Sequence, residues 1–379
     1  MTPNVTRTAR SALISPWMVV LIFCLVYLGL IFFANQSDPE VFVTIGTCYA
    51  SCDGFDYCTA DETNGYDGQF AYYIARDPAN AAPCLDVPAY RYQRILLPVL
   101  GRLLAFGQEA WIPLAFVAIN LAALVGSTAL LSDLLAGLRA NRWYALVYGL
   151  FVGMVISVRL STTEPLAYGL VVLALWWERR GRSGWAAAAF LLAALAKETT
   201  LAFVAGYLLY DVLERRWRHA LTLALVVGLP FALWQLGLYL WLGAFGAGSG
   251  GAGNSPFEVI PFNGFWRVAY DPSGSLAVFL LFSLYTIPAV ILPSLWGMWA
   301  ALRELWRAPR HEYAGLLLVN AALMAFVPFS TYREPLGLFR FLVGLVLSHL
   351  LYAALRFPRR RPLRYSWLWL ALLYYLAAG

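Results

Sequence analysis

Trp17-Met-Val-Val-Leu-Ile-Phe-Cys-Leu-Val-Tyr-Leu-Gly-Leu-Ile-Phe-Phe33 runs without a single charge, and its reading decides the fold. Apolar residues follow one another without the in–out alternation of a barrel strand, so the run reads as a membrane helix. In lipid a backbone must satisfy its own N–H and C=O groups, and a helix does so within one segment. Leu276 to Ala301 reads the same way. The 379-residue chain is 61% hydrophobic and 13% charged, with a mean hydropathy of +0.65. That balance excludes a soluble globule and points to an all-α integral membrane protein. The net charge of +6 does not signal a nucleic-acid partner, because the arginines fall in short clusters between apolar runs, as the positive-inside rule requires.

Working outward, the stretch before the run carries Arg7 and Arg10. No small-residue cleavage pattern follows the run, so 16–33 is expected to be a retained first span with its N-terminus in the cytoplasm. Residues 34–110 then form a large outer loop. It holds Cys48, Cys52, Cys58 and Cys84, an even set in a short interval, which predicts two disulfides in an oxidising compartment with three connectivities open. Within the loop, Asn64-Gly-Tyr-Asp-Gly-Gln-Phe-Ala-Tyr-Tyr-Ile-Ala-Arg-Asp-Pro78 places Phe70, Tyr73 and Ile74 on one stripe of a brief helix. That helix is expected to lie flat on the bilayer and to end at Pro78. Tyr90 to Arg102 reads as a second interfacial helix. Residues 111–242 hold further spans with short outer tips at Arg159–Glu164 and Lys197–Glu198, 243–275 a second outer loop, and 276–379 the C-terminal spans, Arg356 and Arg359 belonging to the last inner cluster. The whole is one multispanning domain of about eleven transmembrane helices.

Collected on the expected outer face, the informative charges are of both signs: Asp67, Arg91, Arg94, Arg159, Glu164, Lys197, Glu198, Arg333 and Glu334. Ionisable groups at membrane depth are costly, so they tend to face a cavity and to pair. Cations beside an apolar groove suit a lipid phosphate, and a neighbouring carboxylate suits activation of a hydroxyl. Plainer roles compete. Asp67 would cap its helix in the ordinary way, Lys197–Glu198 would form a turn, Arg333–Glu334 would be a surface pair, and Arg102 would meet headgroups. Asp53-Gly-Phe-Asp56 is no metal pattern and Asp38-Pro-Glu40 only a weak one, so no metal and no other cofactor is expected, a divalent ion being the lesser reading.

Tyr66-Asp-Gly-Gln-Phe-Ala-Tyr-Tyr-Ile-Ala75 and Arg91-Tyr-Gln-Arg-Ile-Leu-Leu-Pro98, together with the tips Ser161-Thr-Thr-Glu-Pro165 and Ala196-Lys-Glu-Thr-Thr-Leu201, resemble the glycosyltransferase C superfold. More narrowly they look like its mannosyltransferase-like members that act on bacterial cell-surface glycopolymers. The resemblance implies a membrane glycosyltransferase in the bacterial inner membrane. It would move a sugar from a polyprenyl-phosphate donor to an acceptor hydroxyl of a glycan, lipid or protein on the extracytoplasmic side, with inversion. It implies an acidic base in the first outer loop, which falls on Asp67, with Asp38 or Glu40, or Asp61 or Glu62, as the other candidates. Arg91, Arg94, Lys197 and Arg333 are then expected at the donor phosphate, and Gln69, Tyr73, Arg159, Glu164 and Glu198 at the substrate. A transporter or flippase of lipid-linked sugar is the alternative, and a non-enzymatic scaffold of the cell envelope the third reading.

Overall fold

The computed structural model describes residues 14–52, 61–271, 275–355 and 360–378; Arg7, Arg10, Asp53, Asp56, Cys58, Arg356 and Arg359 lie outside them. All regular structure among the described residues is helical. In chain order the main helices are α1 (Pro16–Ala34), α2 (Gly68–Arg76), α3 (Pro88–Tyr92), α4 (Leu96–Leu104), α5 (Ile112–Gly137), α6 (Ala145–Gly149), α7 (Val152–Arg159), α8 (Glu164–Glu178), α9 (Ser183–Ala196) and α10 (Leu201–Leu213). There follow α11 (Trp217–Leu242), α12 (Asn263–Ala269), α13 (Leu276–Leu305), α14 (Glu312–Ala325), α15 (Phe329–Arg333) and α16 (Pro335–Leu355). Five of these, α1, α5, α11, α13 and α16, are long and apolar enough to cross a membrane, and the chain is a membrane-embedded protein.

The expectation of about eleven spans is met only in part. The other apolar runs are helical, but they are short or broken: α6 and α7 are separated at Leu150–Phe151, and Ser366–Tyr374 near the C-terminus is a tight 3-10 coil. Two expected interfacial helices also differ. Tyr90 to Arg102 is divided between α3 and α4, with a turn at Gln93–Ile95. α2 does not lie flat on a surface with one face in lipid, since Gly68 to Ile74 is almost wholly buried, along with Ala75. The reason is tertiary. Tyr72 and Ala75, as well as Phe70, Tyr73 and Ile74, are buried in one cluster with the 43–49 segment, α4, α5 and the start of α8.

α16 is the axis of the bundle. It is buried along nearly its whole length, whereas α1, α11 and α13 show much of their apolar surface to the outside. α7 reaches α16 so closely that a Cβ on Gly153 would overlap the carbonyl of Phe339, the small-residue approach typical of helices packed in lipid. This placement carries the second turn of α16, with Arg340, into the interior beneath α2 and the α7–α8 turn.

Candidate functional site

The segment before α2 is built to hold one carboxylate in place. The Gln69 side chain, fully buried, ties it down from both ends: its Oε1 accepts from Gly46 N–H at 2.9 Å and its Nε2 donates to Asn64 C=O at 2.7 Å. Tyr66 N–H donates to Thr44 C=O at 3.0 Å. Gly68 then lets the chain touch the α7–α8 turn, where a Cβ would overlap the Leu160 carbonyl. Asp67 stands at the N-cap position of α2, yet its side chain makes no capping bond. It turns away from the helix towards two guanidinium groups.

Arg91 Nη1 donates to Asp67 Oδ1 at 2.8 Å and Arg340 Nη1 to Asp67 Oδ2 at 2.7 Å, so each oxygen has its own cation. The pairing continues on both sides. Arg91 also grips Asp86 through Nε and Nη2 at 2.6 and 2.7 Å. Arg340 Nε donates to Glu164 Oε1 at 2.6 Å, and Lys197 Nζ donates to that same oxygen at 2.6 Å. Arg94 forms a separate fork on Glu198, at 2.8 and 2.6 Å, and reaches the Tyr90 hydroxyl. Above Arg340, the Tyr66 hydroxyl accepts from its Nη1 at 3.2 Å and donates to Glu334 Oε1 at 2.8 Å. Glu164 and Lys197 are sealed from solvent, 0% and 2% exposed, while 31% of the Asp67 side chain remains open.

What Asp67 opens into is a cavity of about 660 Å³, walled by Tyr66, Tyr90, Arg91, Arg94, Lys197 and Arg340. The Gly-rich second loop forms part of its wall, with Ala252 N–H on Asp86 Oδ2 at 3.0 Å. Below Asp67 lies a hole of about 20 Å³ bounded by Ser161, Thr163 and the three arginines, room for a water molecule. Burial alone would raise the Asp67 carboxyl; Arg91 and then Arg340 outweigh it and hold the group well below the usual carboxylate range. Burial likewise opposes ionisation of Glu198, and Arg94 reverses it, leaving that carboxyl lowered. For Lys197 burial wins over Glu164, and the ammonium is pushed down.

Of the residues expected at a site, the structure brings together Asp67, Arg91, Arg94, Glu164, Lys197 and Glu198. Four others stand differently. Arg333, 64% exposed, faces a different groove and lies 3.9 Å from Asp271; Arg333 and Glu334 point to opposite sides because the chain leaves the helical conformation at Glu334. Gln69 borders the cavity but spends both ends of its amide on the backbone. Tyr73 is packed in the core under α2. Arg159 interacts with Tyr27 of α1 and is not part of the cavity wall. Asp38, an alternative acid, caps the short turn Pro39–Phe42 through Glu40 N–H. Cys52 and Cys84 are joined, Cys48 is also disulfide-bonded, and Cys58 lies outside the described residues.

The residue missed was Arg340. Its signal was present: one cation in an otherwise apolar stretch, Leu338-Phe-Arg-Phe-Leu342, where a charge is costly unless it is paired for a purpose. Asp86, five residues before Arg91, was missed with it. Together these groups form an alternating chain, Asp86–Arg91–Asp67–Arg340–Glu164–Lys197, in which every buried charge has a partner. The cavity end of that chain offers cations for an oxyanion and a partly open carboxylate beside them. No protein-family model, curated protein or solved structure matches this chain.

Proposed function

We propose that this protein is a membrane glycosyltransferase that transfers a sugar from a polyprenyl-phosphate donor to an acceptor hydroxyl, with inversion at the anomeric carbon. The observation that carries the reading is the cavity in which Asp67, from the loop after α1, meets Arg91, Arg94, Lys197 and Arg340, from three other parts of a membrane-embedded chain. On this reading the short helices also traverse the membrane, giving about eleven crossings in a glycosyltransferase C-like arrangement, and the cavity lies on the extracytoplasmic side of a bacterial inner membrane.

The chemistry follows from the groups present. The acceptor oxygen attacks the anomeric carbon from the face opposite the phosphate. As the new C–O bond forms, the bond to the phosphate oxygen breaks and its electron pair leaves with the phosphate. The acceptor proton passes to Asp67. Lys197 and Arg340, both on the cavity wall, face the growing charge of the leaving phosphate, where low polarity strengthens their pull. Holding acceptor, sugar and base in line supplies a further share.

The test is sugar transfer by the purified full chain in proteoliposomes, with a labelled polyprenyl-phosphate sugar. Asp67→Asn is expected to lower transfer by at least about a hundredfold without changing the melting temperature by more than a few degrees. Undiminished transfer by that variant refutes the assignment of the base. Movement of labelled lipid between leaflets with no new glycosidic bond would instead establish the flippase reading.

A further inference from the structure

With both its oxygens bound to guanidinium groups, Asp67 is a poor proton acceptor. We propose that Arg340 is the switch that releases it. The guanidinium leaves Asp67 for the phosphate of an entering lipid phosphodiester, and the carboxylate, now held by Arg91 alone, can take a proton. The inference rests on the glycosyltransferase reading and adds to it a positioning residue and an order of events.

The choice of Arg340 follows from how the cations are held. Arg91 has a private two-point grip on Asp86 and a guanidinium 4.0 Å from the Phe70 ring. Arg94 has its own two-point grip on Glu198. Both are closed pairs that an incoming anion would have to break at two hydrogen bonds. Arg340 instead makes single bonds to Asp67, Glu164 and Tyr66, and the Glu164 oxygen it uses is shared with Lys197. With the closed pairs set aside, two cations, Arg340 and Lys197, face two carboxylates, Asp67 and Glu164. That set is neutral until a phosphate enters it. The added negative charge then lies beside Asp67 at the moment its second cation departs, and both changes favour protonation.

The groups that face Asp67 support this account. Arg91 and Arg94 approach it from α3 and the turn after it, Arg340 from α16, and the Tyr66 and Tyr90 hydroxyls from the cavity wall. Asp86, Glu164, Glu198 and Glu334 stand one contact further away, and Lys197 one beyond that, on Glu164. The acids among them, once uncompensated, raise the proton affinity of Asp67 further.

The experiment is calorimetric titration of the full chain in detergent with farnesyl methyl phosphate, a diester that carries one charge and does not titrate near neutrality. Runs in buffers of different ionisation enthalpy, between about pH 5.5 and 7.5, count the protons taken up on binding. The wild-type chain is expected to bind with fractional proton uptake that grows as pH falls, approaching about half a proton where pH meets the raised carboxyl pKa. Asp67→Asn is expected to bind several-fold more tightly, having lost the competitor for Arg340, with no uptake. Arg340→Lys, which keeps the charge in the core, is expected to bind more weakly with the uptake reduced. Binding by the wild type without proton uptake, or equal uptake by Asp67→Asn, overturns the switch and leaves the donor class standing. A wild-type chain that does not bind the lipid phosphodiester removes both.

Discussion

Glu164→Gln tests the electrostatic structure of the site without touching Asp67. The substitution keeps the volume and removes one negative charge from a position with 0% exposure, where Glu164 holds the Lys197 ammonium and the Arg340 guanidinium, both at 2.6 Å. Arg340 retains Asp67, but Lys197 is left buried at 2% exposure with no carboxylate on it. Removing one partner of a buried pair costs about 3–5 kcal/mol. The fold can escape part of that cost only by keeping Lys197 neutral. From an unfolded pKa near 10.4, neutrality at pH 7 costs about 4–5 kcal/mol, at about 1.4 kcal/mol for each pH unit. The two figures agree, so a loss of about 4 kcal/mol at pH 7 is expected. The folded variant then binds fewer protons at Lys197 than the unfolded chain does, so its stability rises with pH, regaining about 2 kcal/mol between pH 7 and 8.5. Denaturation in detergent at the two pH values measures this, and Glu164→Gln with Lys197→Met should recover most of the loss even at pH 7. A single variant as stable as wild type at pH 7, or one that gains nothing at pH 8.5, refutes the reasoning.

The position of Arg333 predicts that Arg333→Gln leaves transfer within about twofold of wild type, because the side chain is exposed, faces another groove and lies 3.9 Å from Asp271; a hundredfold loss in the same transfer assay would return Arg333 to the site. Gly68→Ala is expected to push α2 away from the Leu160 carbonyl and displace Asp67, abolishing lipid binding while the chain still reaches the membrane. Calorimetry on the purified variant checks this, and wild-type affinity would show that the close approach is not needed.

Much of the architecture was legible in the sequence because the hydrophobic effect writes it there directly: an uncharged run such as 17–33 has few alternatives to a helix in lipid. Asp67 was picked out by its motif, Tyr66-Asp-Gly-Gln-Phe70, through the resemblance that motif carries rather than through hydropathy. What the sequence hid depends on neighbours distant in the chain. A helical wheel gave α2 one wet face, and the packing of α4, α5, α8 and the 43–49 segment around it buries Gln69, Tyr72 and Ala75 together with the apolar stripe. Gln69 looked like a substrate ligand because nothing local announces that Gly46 and Asn64 consume its amide. Arg340 vanished into the average hydropathy of α16, although one cation between two phenylalanines was the strongest single anomaly in that helix. Adjacent charges misled in the opposite way. Arg333 and Glu334 read as a pair, but the backbone bend between α15 and α16 sends one towards Asp271 and the other to Tyr66.

The central claim is spatial and chemical at once: the cavity beside Asp67 receives the anionic end of a polyprenyl lipid. A structure of the full chain with a bound polyprenyl phosphate tests it most directly. The account predicts phosphate oxygens within hydrogen-bonding distance of Lys197 and Arg340, with the Asp67–Arg340 contact opened. A lipid headgroup elsewhere, with the Asp67–Arg340 pair intact and the cavity empty, would contradict it.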